Sequence, residues 1–145
     1  MARRLVRFAS EDVGIADSNA LVVAVAAYQA CHFNGMPECS VNLAQAVVYL
    51  SMAPKSNSAY NAINAAMRDI RKGKVGQVPR HLQNVHADST GSGKAPAYKY
   101  PHDYPHHYVA QRYLPEALGD VTYYEYGDNK TEQAARRYWE DIKKN

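Results

Sequence analysis

An alanine-rich segment that is apolar on nearly every side of a helix dominates the first part of this sequence. Asp17 is a good N-cap, the residues after it read SNALVVAVAAYQACHFNG, and Gly35 is the natural stop. A helix that is apolar all round needs neighbours on most of its sides. The segment therefore predicts a mainly α fold, with this helix buried in a helical collar or bundle.

A second apolar helix follows after a short break. Met36-Pro37 interrupts the first helix, Ser40 caps VNLAQAVVYLSMA, and Pro54 ends it by forcing the preceding residue out of helical geometry. Five of its residues share one face: Val41, Ala44, Val47, Val48 and Met52. We expect both apolar helices to be buried within the domain.

Three further segments have helical periodicity. The opening residues ARRLVRFASED place Leu5, Phe8 and Ala9 to face inward. A later helix begins at Ser56 or Ser58 and stops at Gly73, and its apolar stripe consists of Tyr60, Ile63, Met67 and Ile70. The last segment, DNKTEQAARRYWEDIKK, has Ala135, Tyr138, Trp139 and Ile142 on one side.

The composition changes between residues 74 and 128, which hold five of the seven prolines and eight of the twelve tyrosines. A long stretch without helical periodicity is either functional or disordered, and so many tyrosines argue for order by packing onto the helices. The predicted organisation is a helical oligomerisation bundle over 1–73, ordered loops over 74–128 with a short β arm at VTYYEYG, and a C-terminal helix over 129–145.

Positive charge is concentrated in the same part of the chain. From Arg68 to Arg112 there are eight basic and three acidic residues, whereas the whole chain carries a formal charge of +3. This is either a solvated basic loop or a site for an anionic partner such as single-stranded DNA, whose bases stack on aromatic rings. The candidate DNA-contacting residues are Lys72, Lys74, Arg80, Lys94, Lys99, Arg112, Tyr98 and Tyr100.

Catalytic and metal sites are poorly supported by the motifs. Ser89–Lys94 imitates a phosphate-binding loop, but Asp88 stands where its first glycine belongs and Ala95 where the magnesium ligand belongs. His102, Asp103, His106 and His107 could bind zinc or serve a small hydrolase, yet their spacing matches no known ligand set. We expect this chain to hold no cofactor and to catalyse no reaction.

Compartment and membrane association are limited by two observations. Cys31 and Cys39 form no CxxC pair, so reduced thiols in the cytoplasm are the default. The longest apolar run, Ala20 to Tyr28, is far shorter than the roughly 20 residues that span a bilayer. We expect a cytoplasmic protein without a membrane segment, associated with the nucleoid if bacterial.

Three stretches closely resemble the C-terminal region of the replication-associated recombination protein A family, RarA or MgsA, whose eukaryotic relatives include the Werner helicase-interacting protein. They read RFASEDVGIADSNALVVAVAAYQACHFNGMPE, LAQAVVYLSMAPKSNSAYNAI and KYPHDYPHHYVAQRYLPEAL, and the resemblance runs from about Ala2 to about Tyr126. The most specific pieces are APKSNSAY and YKYPHDYP. The sequence departs from the family at His106-His107, where many relatives are expected to have small residues.

The resemblance implies a fragment of a longer clamp-loader-like AAA+ ATPase that acts at stalled replication forks in DNA replication, recombination and repair. ATP and magnesium would bind in the ATPase module, whose Walker motifs are absent from this sequence. The parent is expected to be a DNA-stimulated ATPase and a homo-tetramer, associated with single-stranded-DNA-binding protein. The candidate interface residues are Tyr60, Ile63, Met67, Tyr104, Tyr108, Tyr113, Tyr123 and Tyr124.

Overall fold

The computed structural model describes residues 1–83 and 98–144. These residues form two compact units. The first unit consists of Met1–Ala66 and Tyr123–Lys144, and the second lies within Met67–Thr122. The C-terminal helix therefore belongs to the same unit as the opening helices. Lys94, the Ser89–Lys94 stretch and His86 lie outside the described residues.

The described residues contain five α-helices, which confirms the mainly α fold. They are α1 (Ala2–Phe8), α2 (Asn19–Asn34), α3 (Ser40–Met52), α4 (Ser58–Arg71) and α5 (Lys130–Lys144). A π-helical turn (Ala9–Val13) and a 3-10 turn (Gly14–Asp17) connect α1 to α2.

The helix ends follow the expected local chemistry. Gly35 ends α2 with φ 68°, and Gly73 follows α4 with φ 76°, values that suit a residue without a Cβ. Ala53, immediately before Pro54, is extended at φ −64° and ψ 144°, as the proline ring requires. Breakers and caps therefore located these boundaries to within one or two residues.

The core of the first unit is built from small side chains where α2 packs against α1 and α3. Its buried residues are Ala9, Val13, Ala20, Ala24, Leu50 and Ala53. Alanines let helix axes approach closely, so the interior is filled by backbone proximity as much as by side-chain volume. Tyr49 links α3 to the 3-10 turn before α2, because its hydroxyl donates to Asp17 Oδ2 at 2.7 Å.

The prediction that α2 and α3 bury most of their sides was wrong. Their alanines face inward, whereas Val22, Val41 and Val48 are between 57% and 71% exposed and Met52 is 80% exposed. The face that Val41, Val48 and Met52 share is thus the outer face of α3, and Ala46 and Leu50 on the other side are buried. The alanines occupy the interior because small side chains allow the closest approach of the helices.

The second unit has no buried residue among those described, 67–83 and 98–122. It consists of the end of α4, single 3-10 turns such as Pro101–Asp103 and Glu116–Leu118, and extended chain. Tyr98, Tyr100, Tyr104 and Tyr113 are 38–53% exposed, so the expectation that tyrosines pack the loops closely fails for these four.

No strand forms in the described part of the chain, so the short β arm predicted at residues 121–127 is corrected to irregular chain. That segment has no partner strand, and it is anchored instead by the Tyr124 hydroxyl, which donates to Glu132 in α5. Across residues 1–83 and 98–144, no helix is both long enough and apolar enough to cross a bilayer.

Candidate functional site

The most unusual surface of the first unit is the outward side of the α2–α3 hairpin. In α2, Val22 and Val25 follow each other along one side of the helix. In α3, Val41, Val48 and Met52 repeat at helical spacing, and all five of these side chains are exposed. We call these five residues the hairpin face. Apolar side chains that repeat along the exposed sides of two neighbouring helices are typical of an interaction site.

The hairpin face is also free of charge. Between Ser18 and Pro54 the one formally charged residue is Glu38, in the turn between the helices. Solvent-facing helices normally alternate apolar and charged sides, because charges keep the outer side soluble. A hairpin without them is suited to an apolar partner and not to a phosphate backbone.

The exposed apolar stripe on α4 was predicted as part of an interface. Tyr60 and Ile63 in the first unit are 38% and 58% exposed and line a shallow groove with Arg7, Ser10, Glu11 and Ala59. Arg7 Nε donates to the Glu11 carboxylate at the groove edge. Met67, in the second unit, is 38% exposed. None of the α4 residues is buried.

The remaining predicted interface tyrosines do not share one environment. In the second unit, Tyr104 and Tyr113 are exposed and Tyr108 is half-buried. Tyr113 is held locally, because its hydroxyl accepts a hydrogen bond from Gln111 Nε2 at 2.9 Å. In the first unit, Tyr123 and Tyr124 are half-buried, and Tyr124 turns its hydroxyl inward to Glu132.

A polar cleft lies in the first unit beside the APKSNSAY motif. Lys55, Ser56 and Asn57 line it together with Phe8, Asp12, Ser58, Gly127 and Asp128. Lys55 Nζ donates to the carbonyls of Leu50 at 2.9 Å and of Ala53, so it caps the end of α3. Ser56 N–H donates to the carbonyl of Asp12 at 2.8 Å. The motif thus connects α3 and α4 to the π-helical turn that follows α1.

Beneath this cleft lies Glu132, a fully buried carboxylate. Its Oε1 accepts from the Tyr124 hydroxyl and, at 3.1 Å, from the Gly127 N–H, and its Oε2 accepts from Asn129 Nδ2. Asn129 Oδ1 in turn accepts the Glu132 N–H at 3.0 Å, which makes a helix cap. The carboxylate therefore joins α5 to the chain before it.

The hydrogen bonds determine the ionisation of Glu132. Burial alone raises the pKa of a carboxyl group, but donors from Ser56, Tyr124, Gly127 and Asn129 stabilise the anion and lower the pKa to about 2. Burial, and then the hydrogen bond to Glu132, raise the pKa of Tyr124 above its ordinary value. Both groups keep their charge state across the physiological range, which indicates a structural role.

The predicted DNA-contacting residues that are described lie in the second unit. Lys72 and Lys99 are exposed, and Lys74 is exposed with an ion pair to Asp69 at 3.4 Å. Tyr98 and Tyr100 flank Lys99, and their rings are 47% and 53% exposed. The Lys99 backbone is fixed by Gln111, whose side chain bonds its N–H at 3.2 Å and its carbonyl at 2.7 Å.

Two arginines of that set are placed differently. Arg112 directs its guanidinium at the carbonyls of Leu114, Glu116 and Gly119, at 3.2–3.4 Å, and so organises the loop that follows it. Arg80 is exposed in a 3-10 turn and has interactions of its own. Lys94 lies outside the described residues.

Two rings of the histidine cluster lie near each other, tilted by 47°. His102 and His107 have ring centroids 4.7 Å apart, and within residues 1–83 and 98–144 no three His, Cys, Asp or Glu side chains are grouped to hold a metal ion. His106 and His107 both have positive φ, 57° and 53°, a conformation that favours glycine. This backbone is consistent with the expectation of small residues here in relatives.

Sequence reasoning missed the hairpin face and Glu132. The signal for Glu132 was present, because an N-capping Asn129 followed three residues later by Glu is the pattern of a capping box. Its burial also depends on Tyr124, eight residues before it, and on Ser56, which is distant in sequence and could not be paired with it by spacing.

Comparison with known proteins agrees with the resemblance found in the sequence. The family described as MgsA AAA+ ATPase C terminal matches residues 1–143. The replication-associated recombination protein A of Bacillus subtilis is 40% identical over 99% of this chain and 35% of its own length. An uncharacterized AAA domain-containing protein of Mycobacterium tuberculosis is 50% identical over 86% of this chain and 28% of its own length.

A eukaryotic relative is similar over nearly as much of the chain. The ATPase WRNIP1 of Dictyostelium discoideum is 41% identical over 87% of this chain and 15% of its own length. The chain thus spans between 15% and 35% of the length of these three relatives. The match over almost every residue shows that this chain belongs to the MgsA AAA+ ATPase C-terminal family.

Proposed function

We propose that this chain is an assembly domain that joins copies of its parent AAA+ ATPase into a homo-oligomer, a tetramer as in the family it resembles. The observation that carries the proposal is the hairpin face, which is apolar, uncharged and exposed. The Tyr60–Ile63 groove on α4 is a second contact in this proposal.

A second copy of this chain is the occupant that the chemistry favours. Interfaces between identical subunits are more apolar than other protein surfaces, and a symmetric contact sets the same patch against itself. Like-charged residues would repel each other across such a two-fold axis, and the hairpin face has none. A nucleic acid would instead require cations, which this surface lacks.

The parent activity is proposed from the relatives. ATP and magnesium bind in the ATPase module, hydrolysis is stimulated by DNA, and the oligomer works in the cytoplasm at stalled replication forks, near the nucleoid in a bacterium. Clamp-loader-like assembly positions neighbouring ATPase modules against one another. Single-stranded-DNA-binding protein is the further partner proposed. In this scheme the chain supplies geometry and no catalytic group.

Light scattering over a concentration series tests the assembly. The unsubstituted chain should reach the mass of four copies at micromolar concentration, and Val48→Glu should lower that mass, because a buried interface cannot accommodate an unpaired carboxylate. An expected weakening of about 3 kcal/mol corresponds to a Kd roughly a hundredfold higher. Ile63→Glu tests the α4 groove in the same way.

Ala134→Glu is the matched control, since it places the same charge on an exposed side of α5. Helix content and the thermal midpoint of all variants should match those of the unsubstituted chain, so that loss of mass reflects association. A monomeric unsubstituted chain, or a Val48→Glu variant as large as the control, contradicts the proposed interface.

A second candidate function is contact with single-stranded DNA through the second unit. Tyr98, Lys99 and Tyr100 supply it, because two exposed rings on either side of an exposed cation can stack bases while the cation contacts phosphate. Lys72 and Lys74 add charge in the same unit.

Fluorescence anisotropy with a short labelled single strand tests this candidate. Lys99→Ala should weaken binding and reduce the slope of log affinity against log salt by about 0.7, the value for one phosphate contact. Tyr100→Ala should weaken binding by about 1–3 kcal/mol without changing that slope. Lys143→Ala on α5 is the control. Unchanged affinity and slope in Lys99→Ala would remove this residue from the site.

A further inference from the structure

Three sulfur atoms lie together at the turn between α2 and α3. Cys31 is near the end of α2, Cys39 is the residue before α3, and Met36 is between them. The Cys39 thiol donates to the Met36 sulfur at 3.3 Å. The Cys31 thiol is the other side-chain hydrogen-bond partner of Cys39. The turn thus places the two thiols near each other.

The backbone of the turn fixes this arrangement. The Gly35 N–H donates to the Cys31 carbonyl at 3.1 Å, and the Cys39 N–H donates to the Gly35 carbonyl at 2.8 Å. Both cysteines are therefore tied through Gly35, whose φ of 68° turns the chain back. A disulfide needs its two sulfurs about 2 Å apart, and these two backbone hydrogen bonds hold both cysteines in one turn.

The two thiols differ in access to solvent. Cys39 is 2% exposed, whereas Cys31 is half-buried. A reagent in solution therefore meets Cys31 first. Burial, followed by the hydrogen bond to Cys31, raises the pKa of the Cys39 thiol, so Cys39 is a poor nucleophile toward a dissolved reagent. Its position nevertheless favours attack on a sulfur attached to Cys31.

We propose that Cys31 and Cys39 are a reversible oxidation site that small-molecule disulfides convert to an intramolecular disulfide. The Cys31 thiolate attacks one sulfur of the reagent, whose sulfur–sulfur bond breaks and releases one thiol. Cys39 then loses its proton to solvent and attacks the Cys31 sulfur, which releases the second thiol. The two cysteines lose two electrons and two protons, and the reagent becomes two thiols.

This inference is independent of the assembly proposal, because the readout is the state of the thiols themselves. The purified chain is incubated with oxidised and reduced glutathione in graded ratios, alkylated and weighed by intact mass spectrometry. We expect both thiols to disappear together, with the mass of two hydrogens lost and no lasting glutathione adduct. Dithiothreitol should restore both.

Two variants separate the roles of the thiols. Cys39→Ser should accumulate the glutathione adduct at Cys31, since the second step is removed. Cys31→Ser should leave Cys39 reacting at least about tenfold more slowly than Cys31 does in Cys39→Ser, because Cys39 is shielded. A stable adduct on the unsubstituted chain, a disulfide between chains, or thiols that resist oxidation at every ratio would each overturn the proposal.

Discussion

Replacing Glu132 by glutamine should destabilise the fold strongly, although the two side chains have nearly the same shape. The carboxylate is 0% exposed and accepts hydrogen bonds from Ser56, Tyr124, Gly127 and Asn129. Glutamine keeps one acceptor oxygen and turns an amide NH₂ group, itself a donor, toward groups that are also donors. Some of the four donors then lose their acceptor inside the protein.

Two estimates of the cost agree. A carboxyl pKa of about 2, instead of the ordinary 4.5, corresponds to about 3 kcal/mol in favour of the folded anion. Leaving two buried donors without an acceptor costs roughly 1–3 kcal/mol each. We therefore expect Glu132→Gln to lower the free energy of unfolding by about 3 kcal/mol, or roughly 10 °C in the thermal midpoint.

Urea unfolding followed by circular dichroism measures this effect at several pH values. Because the folded pKa is depressed, the stabilisation is complete above pH 4.5 and is lost as the pH falls toward 2. The difference from the unsubstituted chain should shrink over that window. Glu140→Gln, which removes an exposed 2.7 Å ion pair to Arg136 on the same helix, should leave the stability nearly unchanged, because solvent screens exposed ion pairs. A Glu132→Gln cost below about 1 kcal/mol at pH 7, or one independent of pH, refutes the reasoning.

Two other substitutions test the connectors of the first unit. Gly14→Ala should cost about 4 kcal/mol in urea unfolding, because φ is 53° and the new Cβ would lie 2.6 Å from the Ser56 carbonyl oxygen. Gly35→Ala, where φ is 68° and no atom lies within 4 Å of the new Cβ, should cost about 2 kcal/mol. Equal costs for the Gly14 and Gly35 substitutions would contradict the clash with the Ser56 carbonyl. Lys55→Met should lower the thermal midpoint by the equivalent of about 1 kcal/mol, since three carbonyls at the end of α3 lose their cation, whereas Lys143→Met should leave it unchanged.

The ends of the helices could be predicted because the determinants are local. Gly35, Pro54 and Gly73 act on the backbone within a residue or two, whatever the rest of the chain does. The same holds for the amphipathic pattern of α4, which periodicity identified correctly. Its exposure on the apolar side could not be inferred, because periodicity shows that a face exists and not what covers it.

The orientation of α2 and α3 could not be predicted because nearly every side is apolar. Hydrophobicity then no longer distinguishes the inner side from the outer, and the choice depends on size. Ala20 and Ala24 are fully buried, since they permit the close approach of α1 and α3, and Val22 is left outside. The environment of Glu132 was hidden for a different reason, since one of its donors, Ser56, is distant in sequence.

The valines of the hairpin face affect how tightly that surface can bind a partner. In a helix, a valine occupies essentially one χ1 rotamer, so Val22, Val25, Val41 and Val48 are already ordered before any partner arrives. Immobilising a flexible side chain on binding costs about 0.5–1.5 kcal/mol, and these positions avoid most of that loss. A surface of long, mobile side chains with the same apolar area would bind more weakly. The difference in binding free energy equals the side-chain entropy that the valines lose when the hairpin folds and the mobile side chains lose only on binding.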